Sequence, residues 1–101
     1  MADAEDEILT LDEVAAYLKA GKPREAAMAY QKLDGLVSMT PDELVSWAEA
    51  MIGTGNPDQA LVILRRAEAA DPKLLRMCLT TAKALGAKGD PAGALAYEER
   101  A

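Results

Sequence analysis

Cys78 is the single thiol among 101 residues, and the chain has no histidine. A cysteine nucleophile needs a base beside it, and histidine is the usual one, so no Cys–His pair exists. The commonest general base and a common zinc ligand are missing with it. Carboxylates are plentiful, but the conspicuous pairs, Asp42/Glu43 and Glu98/Glu99, are neighbours in sequence. Adjacent side chains on a helix diverge by about 100°, so neither pair faces one reacting atom. Gly53-Thr54-Gly55 lacks the flanking glycine and lysine of a phosphate-binding loop. Residue type and spacing therefore argue against an enzyme, and no cofactor or metal is expected. Cys78 lies inside an apolar helical pattern and reads as a small buried hydrophobe.

The elements around these residues follow a repeat. Gly55-Asn56-Pro57-Asp58-Gln59-Ala60-Leu61 stands 34 residues after Gly21-Lys22-Pro23-Arg24-Glu25-Ala26-Ala27 and 34 before Gly89-Asp90-Pro91-Ala92-Gly93-Ala94-Leu95. Glycine, proline and alanine columns match without a gap, and such a period signals a repeat array. In each copy the glycine ends one helix with φ > 0. The next residue caps the following helix, and proline takes its first position. Asn56 and Asp90 are good caps, Asn56 with Gln59 as a capping box, whereas Lys22 is a poor one. The alanine five residues after each glycine lets the two helices approach closely.

Read in order, the pattern predicts six helices. The first runs over Leu11–Ala20, capped by Thr10 with Glu13, with Leu9 and Val14 as a hydrophobic staple. The second covers Pro23–Leu33 and ends at Asp34-Gly35. Residues 35–40 connect to Thr40-Pro41-Asp42-Glu43, a strong helix start, and the third helix reaches Ile52 with Leu44, Trp47, Ala48 and Met51 as core. The fourth runs over Pro57–Ala70 with Ala60, Leu61, Ile63, Leu64 and Ala67 inward and Arg65 and Arg66 outward. The fifth is expected over Pro72–Ala87 with Leu75, Cys78, Ala82 and Leu85 as its stripe. The sixth runs from Pro91 to Ala101. The only β-branched apolar cluster, Val62-Ile63-Leu64, lies within a helical period.

Half of the residues are apolar, but alanine supplies many of them, and the aromatics are Tyr17, Tyr30, Trp47 and Tyr97 alone. A thin, alanine-rich interior suits stacked helices. The net charge of −6 is concentrated at the start: residues 1–13 hold six acids and no base, and residues 14–101 hold 11 of each sign. Residues 1–7 are expected to be a flexible acidic tail. No basic surface for nucleic acid is evident. No apolar run is long enough to span a bilayer, and no signal peptide is visible, so the expected setting is cytoplasmic, with no membrane partner.

These residues resemble the tetratricopeptide repeat. Residues 41–74 match a whole unit through Leu44, Ala48, Met51, Gly55, Ala60, Leu64, Ala67 and Pro72. Residues 75–101 match the next through Cys78, Ala82, Leu85, Gly89, Ala94 and Ala101. Residues 7–40 agree at Tyr17, Gly21, Ala26 and Tyr30 but carry Val14 where the family prefers a small residue. Thr10, Leu44 and Cys78 stand where it usually has a large residue, and its final capping helix has no counterpart. The resemblance implies an all-α solenoid of about six antiparallel helices over residues 8–101, binding a protein or peptide along a concave groove. The groove slots map to Ile8, Leu11, Ala15 and Leu18; Asp42, Val45, Glu49 and Ile52; and Arg76, Leu79 and Lys83. The family's clamp for C-terminal carboxylates is absent, and the groove reads as apolar, with Glu49 and Lys83 as polar points.

Residues 8–22, Ile-Leu-Thr-Leu-Asp-Glu-Val-Ala-Ala-Tyr-Leu-Lys-Ala-Gly-Lys, resemble the first helix of excisionase-type DNA-binding domains. Residues 23–33 depart from that family, because they are alanine-rich and near neutral where it has a basic recognition helix, and no wing comes after them.

The expected function is thus a non-catalytic adaptor or scaffold that binds a peptide or helix through Leu11, Ala15, Leu18, Val45, Glu49, Ile52, Leu79 and Lys83. That reading fails where Leu11, Val45, Ile52 and Leu79 are all buried within the chain. The alternative is a structural self-assembling module, natural or designed, in which the uncapped last repeat docks on another copy. A minor alternative is an excisionase-like DNA binder.

Overall fold

The turns set the helices. In the computed structural model, which describes residues 10–101, the three Gly-x-Pro segments adopt one conformation. Gly21, Gly55 and Gly89 have φ of 78°, 84° and 88°. The residues after them repeat in turn: Lys22 at φ −118°, ψ 67°, Asn56 at −120°, 62° and Asp90 at −114°, 78°. The hydrogen bonds repeat as well. Gly21 N–H donates to Leu18 and Lys22 N–H to Tyr17; Gly55 and Asn56 donate to Ile52 and Met51; Gly89 and Asp90 donate to Gly86 and Leu85, all at 2.8–3.1 Å. This is the glycine-terminated helix end in which two orphan carbonyls are satisfied by the two residues that leave the helix. Proline then opens the next helix at no hydrogen-bonding cost.

The described residues form six α-helices: α1 (Leu11–Lys19), α2 (Pro23–Leu33), α3 (Pro41–Gly53), α4 (Pro57–Ala70), α5 (Leu75–Lys88) and α6 (Pro91–Arg100). Among the described residues there is no strand, and the all-helical expectation is met. Thr10/Glu13 and Thr40/Glu43 form complete capping boxes. The acidic tail, Ile8 and the Leu9 half of the staple lie outside the described residues.

Two local expectations need correction. Asn56 makes no cap to its helix, and its Nδ2 donates to Thr54 Oγ1 at 2.9 Å. Asp90 does cap, accepting from Gly93 N–H at 3.0 Å. Thr54 offers Asn56 a competing partner, whereas Lys88 holds the matching place before Asp90. Helix α5 begins at Leu75 rather than Pro72. Asp71 turns the chain first, its carboxylate accepting from Lys73 N–H at 3.3 Å and its carbonyl from Leu74 N–H at 3.3 Å. From Leu75 onward, Met77, Cys78, Thr81 and Ala84 face inward, which leaves Leu75 exposed rather than in the core.

Each helix packs on the next in sequence, and α1, α3 and α5 also pack on one another in turn, whereas the backbones of α2, α4 and α6 stay apart. The interior between them is thin. Ala26, Ala48, Ala50, Ala60, Ala67 and Ala84 are all fully buried; Trp47 is the bulkiest buried side chain, and Tyr30, Leu64 and Met77 are the bulkiest of those fully enclosed. Ala26 and Ala60, five residues after their glycines, are buried as the repeat predicts, whereas Ala94, the third of the column, is only half-buried. Gly53 is a point of close approach: a Cβ there would lie 2.9 Å from Pro23 Cβ.

Candidate functional site

Helices α1, α3 and α5 form the layer that carries the expected groove residues. Leu11, Ala15 and Leu18 of α1, and Glu49 and Ile52 of α3, are half-buried; Leu79 and Lys83 of α5 are exposed. Val45 is fully buried, which corrects its place in the groove. The reason is its position: α3 is flanked by both α1 and α5, so two of its faces are covered.

The middle of this layer is polar. Arg76 Nη1 donates to the Asp42 carboxylate at 3.0 Å and to the Asp42 carbonyl at 3.3 Å. Its Nη2 donates to Ser46 Oγ and Glu49 Oε1, each at 3.1 Å. Thr80 Oγ1 completes the set by donating to Glu49 Oε2 at 3.3 Å. One arginine thus ties two turns of α3 to α5, and the carboxylates of Asp42 and Glu49 are engaged within the chain. The expected apolar groove is interrupted here. Local pattern had no way to reveal this, because the partners lie 27–34 residues apart.

On the side of the even-numbered helices, long side chains bridge what the backbones leave apart. Arg66 binds Asp34 and lies 5.9 Å from the centre of the Trp47 ring. Arg100 binds Glu68 at 3.0 Å and stacks on Tyr97, whose hydroxyl donates to Glu68 at 3.0 Å. The carboxylates hold both guanidinium groups above their ordinary pKa. Burial, reinforced by Glu68, pushes the Tyr97 phenol up. Arg66 faces outward, as expected, and its guanidinium forms the first of these bridges.

Two clefts indent the surface. One of about 470 Å³ follows residues 34–39 beside Arg66, which is already bonded to Asp34. The other, about 260 Å³ between α4, α5 and α6, is bordered by Leu61, Leu64, Glu68, Thr81 and Tyr97. Among the described residues no three His, Cys, Asp or Glu side chains come together as metal ligands, and no helix is long and apolar enough to cross a membrane. Cys78 is buried.

The surface feature that stands out is at the last hairpin. Leu79 is 48% exposed and Leu95 55%, yet their counterparts 34 residues earlier, Val45 and Leu61, are 0% and 9% exposed. Val45 and Leu61 are buried where the next hairpin packs on theirs, and no described helix follows α6. Leu75, at 55%, adds to the same helix. Leu79 was among the expected partner-binding residues; Leu75 and Leu95 were not. The signal for Leu95 was the repeat register itself, since it stands at the position of Leu61. No family model matches the chain, nor does any curated protein or solved structure. The likeness to the tetratricopeptide repeat therefore rests on the residue columns.

Proposed function

We propose that this chain is a non-catalytic interaction module, a superhelical stack of tetratricopeptide-like hairpins that docks a helix or apolar segment of a protein. The matched exposure of Leu79 and Leu95 against the buried Val45 and Leu61 carries this reading. An apolar position that is core in one repeat and open in the next is suited to binding, because its burial is left for a partner to complete. The docking surface is then the α5–α6 end, with Leu79 and Lys83 shared with the expected groove. Leu11, Ala15, Leu18 and Ile52 extend the groove on the other side of the Arg76 cluster.

Stability measurements test the assignment without knowledge of the partner. Leu61→Ala should cost about 2–5 kcal/mol, as for a buried leucine. Leu79→Ala and Leu95→Ala should each change stability by no more than about 0.5 kcal/mol, as for surface positions. Urea titrations followed by the fluorescence of Trp47 measure all three. Equal losses at Leu61 and Leu95 would mean that Leu95 serves the fold, and the docking surface would be withdrawn.

A further inference from the structure

The two ends of the stack differ, and each supplies what the other lacks. At the α5–α6 end, Leu79 and Leu95 lie open. At the α1 end the opposite face is open: Thr10, Glu13 and Ala16 are exposed. Their counterparts in the second repeat, Leu44, Trp47 and Ala50, are buried, and so are Cys78, Thr81 and Ala84 in the third. The second and third triplets lie on α3 and α5, the helices that pack on the hairpin before them. The first helix presents the same face with no described hairpin before it.

The size pattern carries over. Where the third hairpin packs on the second, the α5 triplet is small (Cys78, Thr81, Ala84), and Thr81 borders the same cleft as Leu61 of α4. The first helix offers Thr10, Glu13 and Ala16 in those positions, of which Thr10 and Ala16 are as small as the residues they replace. The charge pattern carries over with a change of sign. Inside the chain, Thr80 donates to Glu49 across the α3–α5 contact. One repeat after Glu49 stands Lys83, and two repeats before Thr80 stands Asp12. Both are exposed, and neither pairs with another described residue. A first helix laid on the last hairpin in the chain's own register sets Asp12 against Lys83. A helix bearing arginine in the manner of Arg76 would instead meet Arg76 and Lys83, where Asp42 and Glu49 received it before. On its α5 side the open end thus favours an acidic residue, and Asp12 of α1 is one.

We propose that copies of this chain associate head to tail, the α1 face of one molecule covering the α5–α6 face of the next, with Asp12 opposite Lys83. The inference rests on the reading of the α5–α6 end as a docking surface, and it names a second copy as the occupant. Such a contact is heterologous, so each molecule keeps one free end of each kind and growth is open unless the rotation closes a ring.

Sedimentation velocity from micromolar to millimolar protein, at low and high salt, tests it with charge reversals. The wild type should gain mass with concentration and lose it with salt. Lys83→Glu and Asp12→Lys should each raise the concentration needed for association about tenfold or more, since like charges then face each other. An equimolar mixture of the two variants should associate again, because every contact between unlike molecules pairs opposite charges. Leu95→Glu tests the apolar half of the contact without touching α1 and should be monomeric, with unchanged helical circular dichroism. A monomeric wild type at every concentration overturns the proposal, as do charge reversals without effect or a mixture that stays dissociated. In those cases unchanged stability of Leu79→Ala and Leu95→Ala leaves the docking surface standing for another partner, whereas loss of stability at those leucines removes both.

Discussion

Arg66 grips the Asp34 carboxylate with both terminal nitrogens, at 3.2 and 3.0 Å, across 32 residues of chain. Arg100 and Glu68 pair at the equivalent positions one repeat later, through Nη1 alone, while Nη2 donates to the Pro72 carbonyl. The bridge therefore belongs to the repeat and not to one accident of packing. Both partners of the first pair are partly exposed, so Coulomb attraction alone is worth about 0.2–1 kcal/mol. The guanidinium also covers Trp47, which adds about 0.5–1 kcal/mol at such a site. Arg66→Ala should lower stability by about 1 kcal/mol, and Arg66→Lys should recover little, because an ammonium cannot reproduce the two-point contact. A double-mutant cycle with Asp34→Ala, read by urea denaturation, separates the carboxylate contribution from the contact with Trp47.

Arg76 is the stronger case, because one side chain serves four acceptors on α3. Asp42 is well exposed, Glu49 less so. The contacts with Glu49 and Ser46 carry most of the effect, since solvent screens the Asp42 pair. Arg76→Ala should cost about 1–2 kcal/mol, in the range of hydrogen bonds to charged groups. The loss should shrink in high salt, which screens exposed charges first. Stability that is indifferent to both the substitution and salt would show that apolar packing alone joins α3 to α5.

The helices were legible because their ends are local. A glycine, a cap and a proline at fixed spacing act on the backbone within a few residues, and so α2 and α4 begin and end as the pattern predicts. Helix α5 was misplaced by three residues because Asp71 captures the chain in a turn that a proline alone does not foretell. Burial was less legible than helicity. The helical period assigns Val45 to one face of α3, but whether a neighbour covers that face depends on α5, about 30 residues away. The same position in the third repeat, Leu79, has no such neighbour among the described residues and is exposed. The Arg76 cluster was illegible for the same reason, since an arginine on one helix face points to no particular carboxylate.

Gly53 and Gly86 make a matched pair of helical glycines with opposite expectations. Alanine is favoured over glycine inside a helix by about 0.8–1 kcal/mol. At Gly86 a new Cβ meets nothing within 4 Å, so Gly86→Ala should stabilise by about 0.5–1 kcal/mol. At Gly53 the same methyl lies 2.9 Å from the Pro23 ring, which is rigid and anchored at the start of α2. Overpacking costs about 1–3 kcal/mol, so Gly53→Ala should destabilise on balance. Thermal melts of the two variants should move in opposite directions. A stabilised Gly53→Ala would show that α2 and α3 separate there at little cost.

Alkaline pH should loosen the fold through its tyrosines. Burial pushes the Tyr30 phenol above its ordinary value of 10.0, and burial with the Glu68 carboxylate pushes Tyr97 up as well. A group whose folded pKa is raised favours the fold while protonated. Its contribution is complete below the ordinary value and is lost as pH rises through the folded one. Tyr97 loses its donated hydrogen bond in the same step, and its phenolate would face the Glu68 carboxylate. The urea midpoint should hold level up to about pH 10 and fall beyond it. Tyr30→Phe, which cannot ionise, should flatten the fall more than Tyr97→Phe, because Tyr30 is fully enclosed and Tyr97 is partly open. An unchanged alkaline slope in Tyr30→Phe would place the sensitive group elsewhere.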